Sequence, residues 1–126
     1  MGKFKKAFVS LIMSTALMMS SSVFAEGATD AKVRAAGEGA LAAMEQAVSL
    51  QTQGADKEEV SNALREVRNL QKEFRFEGTE RLRQKAGDKL RVARKQVNDG
   101  DPEATASLQE LLAMYQEMMT MYNAAH

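Results

Sequence analysis

The sequence predicts an all-α fold, an antiparallel up-down-up-down four-helix bundle built from two helical hairpins, and three observations predict it. Beyond residue 25 there is a single proline, and Ala, Leu, Glu, Gln, Lys and Arg, the residues that cost a helix least, dominate. Apolar residues recur there at helical spacing. Four such stretches of about 20 residues are separated by short breaks rich in Gly and Asp, which forces successive helices to run antiparallel.

The first helix is expected over Asp30 to Gln53, with Val33, Gly37, Ala40/Leu41, Met44 and Val48 inward and Gly54 as its left-handed stop. Asp56 opens the second helix, with Glu59 three residues on at the capping-box spacing. Its inward stripe is Val60, Leu64, Val67, Leu70 and Phe74. Glu77-Gly78-Thr79 breaks the pattern, with Thr79 as the next N-cap; were Gly78 not to break the chain, the second and third helices would fuse into one rod. The third helix turns Leu82, Ala86, Leu90, Ala93 and Val97 inward and ends at Asp99-Gly100. Asp101-Pro102 restarts the chain, an N-cap followed by Pro at the first helical position. The fourth stripe is Ala104, Leu108, Leu111, Tyr115, Met118 and Tyr122.

Ahead of these helices stands a leader. A basic start, Met1-Gly2-Lys3-Phe4-Lys5-Lys6, leads into an apolar run from Ala7 to Met19, then small residues ending Val23-Phe24-Ala25. Val23 and Ala25 occupy the −3 and −1 positions of a cleavable secretory signal over residues 1–25, so the domain is expected over 26–126, starting at Glu26 and residing in the periplasm. The apolar run is too short to cross a hydrocarbon layer of about 30 Å, so the chain is not expected to span a membrane; the rival is an uncleaved anchor. Three of the 17 basic residues leave with the leader, and 14 then face 17 acidic ones, a formal charge of −3. There is no cysteine, which removes disulfides, thiol chemistry and zinc-thiolate sites.

The halves of the bundle resemble each other. Met44, Ala47 and Gly54 are spaced as Leu90, Ala93 and Gly100 are, and Val60-Leu64-Val67 as Ala104-Leu108-Leu111.

Glu45-Gln46-Ala47-Val48, with Gly54 and then Ala63 at intervals of nine, and Leu90, Ala93 and Gly100 in the second half, resemble the framework of the small periplasmic metal-binding four-helix bundle proteins. The likeness spans residue 40 to about residue 118 and implies an exported bundle that binds divalent metal or copper. That family is rich in histidine, whereas this chain has His126 alone, so no histidine ligand position carries over. More distantly, Ala55-Asp56 with Val60 to Arg65, and Asn98-Asp99-Gly100, resemble the soluble periplasmic b-type cytochromes. Leu41 and Thr120 stand where the family's haem-binding Met and His belong, which implies a bundle without haem.

The residues themselves offer one soft-ligand candidate. Met114, Met118 and Met121 are spaced i, i+4, i+7 on one helical face, with Met119 on the flank and His126 behind. Thioethers suit Cu(I), so Met114, Met118, Met121 and His126 form the expected metal set, with copper as the cofactor; the competing reading is methionine filling core gaps beside Tyr115 and Tyr122. From 81 to 95 the third helix carries Arg81, Arg83, Lys85, Lys89, Arg91, Arg94 and Lys95 against Asp88 alone. Either these pair with Glu59, Glu66 and Glu73 of the second helix, or they meet an anionic partner or membrane surface. No aromatic residues interleave with the charges, which argues against nucleic acid. Phe76 is expected to cover the bundle end or to form an apolar lip with Tyr122.

With no Cys and one His there is no nucleophilic triad, no Glu-x-x-His pair for di-iron and no strand to carry a phosphate loop, so an enzyme is not expected. The leading expectation is a small exported metal-binding or buffering protein, monomeric or weakly dimeric. The alternative is a protein-interaction or stress-type holdase using a broad apolar fourth helix, on which Leu112 and Met119 flank the inward stripe. A degenerate b-type cytochrome is third.

Overall fold

The computed structural model describes residues 28–126, with side chains from Asp30 onward; the expected leader and its cleavage point lie outside the described residues. The described chain forms four helices: α1 (Ala28–Thr52), α2 (Lys57–Gln71), α3 (Glu80–Asp99) and α4 (Ala104–Ala125), with a 3-10 turn at Glu77–Thr79. Each helix packs on the two beside it in the cycle α1–α2–α3–α4–α1, and the diagonal pairs stay apart. Cross-links at one end fix the directions. Gln51 near the end of α1 donates to Thr105 at the start of α4 (3.3 Å), and Ser61 at the start of α2 donates to Asn98 at the end of α3 (3.0 Å). The protein is therefore an antiparallel four-helix bundle.

The two hairpins close by the same device. Gly54 and Gly100 adopt φ of 74° and 68°, the left-handed region where a Cβ would be strained. After each glycine an N–H returns to a carbonyl five residues back, Ala55 to Leu50 (3.0 Å) and Asp101 to Gln96 (2.9 Å), the Schellman closure that satisfies the last carbonyls. The expected internal correspondence is also visible in burial. Met44 and Leu90, Ala47 and Ala93, Leu64 and Leu108, and Val67 and Leu111 all lie in the core.

Several local expectations need correction. Asp56 stands at the N-cap of α2 but makes no side-chain cap bond; the Asp56 carbonyl accepts from Glu59 and Val60 instead. Thr79 precedes α3, yet its hydroxyl donates back to the Phe76 carbonyl (3.2 Å), which holds the 3-10 turn and keeps α2 and α3 from fusing. Asp101 does cap: its carboxylate accepts the Glu103 N–H (2.9 Å), and α4 proper begins two residues later than Pro102.

α2 ends at Gln71, so Phe74 is not a helical residue. It is nevertheless only 2% exposed, because its ring lies over Gly37 of α1, where a side chain would stand 2.6 Å from it. On α1 the inward face is wider than expected: Ala36, Ala43, Ala47 and Leu50 are buried and Val48 is only half-buried. A helix held between two neighbours buries two stripes, and alanine is the residue that lets both approach.

Candidate functional site

The residues of the expected methionine set stand at different depths in the bundle. Met118 is 1% exposed in the core, Met114 is half-buried and Met121 is 38% exposed, so the three side chains on this flank of α4 differ widely in burial. Met121 borders a shallow recess with Arg81, Lys85 and Glu117. α4 stays helical to Ala125, so about 18 Å of helix axis separate the backbones of Met114 and His126. His126 stacks on Tyr122 at 4.0 Å, and its Nδ1 lies 2.8 Å from the Tyr122 carbonyl. The structure thus does not bring Met114, Met118, Met121 and His126 together. No group of three or more His, Asp or Glu side chains is arranged to hold a metal among the described residues.

The rings at that end have a structural task. Phe76 meets Tyr122 edge-on (5.2 Å), Phe74 lies 5.5 Å from it, and the Arg34 guanidinium sits 5.0 Å above its face. Arg34 also donates to Asn123 (2.9 Å), so the group seals the start of α1 to the end of α4. The apolar breadth of α4 is used up in the same way. Met119 is buried against Gly37 of α1, while Leu112 is half-buried against the core. Among the described residues only Val92 and Met121 are large, apolar and exposed.

The feature left over is the seam between α2 and α3. At about 3.6 residues per turn, Ser61, Arg65, Arg68 and Lys72 share one flank of α2, while Glu59 and Glu66 leave from the opposite flank. On α3, Gln84, Gly87, Arg91, Arg94 and Asn98 share the facing flank. The result is a groove of about 720 Å³ whose walls carry Arg68, Lys72, Arg83, Arg91 and Arg94 against a single carboxylate, Asp88. It is prolonged toward Lys57 by a second recess of about 420 Å³ that shares Arg94 and includes Arg65.

The expected neutralisation of α3 by Glu59, Glu66 and Glu73 does not occur. Glu73 pairs with Lys32 of α1 (3.6 Å), and α3 finds its partners elsewhere: Lys89 with Glu110 (2.6 Å), Arg91 with Asp88 (3.1 Å), Lys95 with Asp99 (4.0 Å) and Arg83 with Glu80. The Arg83 hydrogen bond holds the Glu80 carboxyl below its ordinary pKa. Arg68, Lys72 and Arg94 have no ion-pair partner among the described residues, and the Nε of Arg94 is buried without an acceptor.

The base of the groove is fixed from behind. The Tyr115 hydroxyl of α4 donates to Gln71 Oε1 (3.0 Å), and Arg83 donates to the Gln71 carbonyl (3.4 Å). Burial raises the Tyr115 pKa well above the ordinary phenol range, so this donor keeps its proton. The Gln71 amide nitrogen faces Gly87, where an added Cβ would stand 3.1 Å from it. Gly87 therefore leaves the middle of the groove open. The basic third helix was evident in the sequence. The second wall was not singled out, although Arg65, Arg68 and Lys72 repeat at i, i+3, i+7 and carry that signal.

No family model, curated protein or solved structure matches this chain. No described helix is long and apolar enough to cross a membrane.

Proposed function

We propose that the protein is an exported, non-catalytic binding protein whose α2–α3 groove receives an anionic partner. The observation that carries this reading is the concentration of five cations against one carboxylate in a seam of a chain whose expected mature charge is −3. Like charges facing one another across a helix interface repel, and a folded protein reduces that cost by pairing them or by binding a counter-charge. Here Glu59 and Glu66 of α2 lie on the other flank and Glu58 lines only the second recess, so in the main recess the counter-charge for Arg68, Lys72 and Arg94 is left to a ligand.

The test is retention on a sulfated or phosphorylated resin at increasing salt. Arg68→Glu with Arg94→Glu is expected to release the protein at much lower salt, whereas Arg81→Glu, on the α4 side of α3, changes retention little. Equal effects from both would mean that net charge and not the groove sets the affinity.

A second reading keeps the soft-metal site, supported by Met114 and Met121 reaching the same flank of α4. It requires Met118 to leave the core or to be dispensable. Cu(I) titration against a competing chelator decides it: affinity that is unchanged when Met114 and Met121 become Leu removes the site.

A further inference from the structure

We infer that the ligand of the groove is a linear oligophosphate, a chain of three or more phosphate groups; this rests on the anionic-partner reading and gives it a chemical class. The first argument is the balance of donors and acceptors. Arg68, Lys72, Arg94 and the Gln71 amide nitrogen offer N–H donors with no protein acceptor, while two of the acceptors at the groove are already engaged, Gln71 Oε1 by Tyr115 and Asp88 by Arg91. Gln84 in the main recess and Glu58 and Asn62 in the second are the remaining acceptors, so the main recess is rich in donors and favours a ligand that accepts at most positions. Phosphate chains do so. An acidic peptide brings a backbone N–H at each residue, and the main recess has few free acceptors to replace the water those groups would lose.

The second argument is shape. Arg65, Arg68 and Lys72 follow one another along α2, and the shared Arg94 joins the two recesses into a track. From Ser61 to Lys72 the track runs about 16 Å at the helical rise, which is several phosphates long and much longer than one.

The third is what the walls lack. Leu90 is the one apolar side chain lining the main recess and no aromatic ring lines either, so neither a base to be stacked nor the apolar face of a partner helix has a seat. Arginine, which supplies four of the five cations of the main recess, presents its planar fork to paired oxygens of one phosphate or of neighbours, which a lysine cannot do.

The experiment is calorimetric titration of the purified protein with orthophosphate, tripolyphosphate, long-chain polyphosphate and polyglutamate. Affinity should rise with phosphate chain length, fall with salt, and exceed that for polyglutamate. Arg68→Glu with Arg94→Glu should weaken tripolyphosphate by about tenfold or more, and Arg81→Glu by less than about twofold. Circular dichroism of each variant checks the fold; if the double reversal unfolds, Arg68→Gln with Arg94→Gln replaces it, with a smaller loss expected in the same order. Orthophosphate binding as tightly as tripolyphosphate, or a loss no greater in the groove variant than in Arg81→Glu, overturns the inference. Tighter binding of polyglutamate overturns it too but leaves the anionic-partner reading standing. Failure of every anion to bind ends both.

Discussion

Two seams of the same bundle are built on opposite terms. Where α1 meets its neighbours, alanines and glycines let backbones approach: Ala36, Ala40, Ala43 and Ala47 are buried, and Gly37 is filled by Phe74 and Met119. Where α2 meets α3, long cationic side chains line both walls and hold a groove open around Gly87. The first seam contributes stability through close apolar contact. The second gives up some of that contact and tolerates repulsion, which is what the proposed binding groove would require.

The comparison can be broken most forcefully in the shared core. Leu108→Ala removes a fully buried side chain and is expected to cost about 2–5 kcal/mol, read as a fall in the midpoint of chemical denaturation followed by circular dichroism. A smaller cost would mean that the bundle collapses easily around the gap and that the tight seam is not tight.

The two glycines give the sharpest contrast. Gly37→Ala places a Cβ 2.6 Å from both Met119 Sδ and Phe74 and should destabilise by about 1–3 kcal/mol. Gly87→Ala meets only the Gln71 amide, at 3.1 Å. Up to about 1 kcal/mol of helix propensity offsets that contact, so its stability should stay close to the parent while the groove loses depth. Equal losses from the two substitutions would erase the distinction between the seams.

Tyr115→Phe tests the strut between them. Loss of its hydrogen bond to Gln71 should cost about 0.5–1.5 kcal/mol. Burial raises the pKa of Tyr115 in the folded state, so the unfolded chain loses this proton first as pH rises. The stability contributed by the neutral phenol is therefore whole below about pH 10 and declines above it, and Tyr115→Phe should flatten that alkaline decline. A denaturation series across alkaline pH measures the slope in both proteins.

The smallest effects are electrostatic. Arg68→Glu should leave stability unchanged or raise it by at most about 0.5 kcal/mol, because it relieves repulsion across the groove while weakening the proposed binding. Glu110→Gln, which breaks the partly exposed pair with Lys89, should cost at most about 1 kcal/mol. Thermal unfolding at low and high salt separates these from packing changes.

Much of the fold was legible because helical periodicity is a local property. Spacing placed Leu64, Leu90, Leu108 and Tyr122 in the core, and Gly54 and Gly100 at the left-handed closures, since only the residues beside each position are needed to see it. Phe74 misled because its spacing continues the stripe of α2, while in the folded chain it leaves the helix and is buried against Gly37, which lies 37 positions earlier in the sequence. Of the groove, the charge of α3 was legible and its partnering was not. Glu59 and Glu66 are near in sequence to the cations of α2 but turn to the opposite flank.

The sequence by itself determined that there would be helices, how many, and which stripe of each would seek an apolar neighbour, because backbone propensity and periodicity act within a few residues. Only the tertiary structure decided which flank of α2 would face which flank of α3, that Met118 would be buried while Met121 stayed exposed, and that Arg68, Lys72 and Arg94 would form no ion pair among the described residues. Those outcomes depend on how each rod is rotated against its neighbours, and that rotation is set by the best simultaneous fit of all four apolar faces.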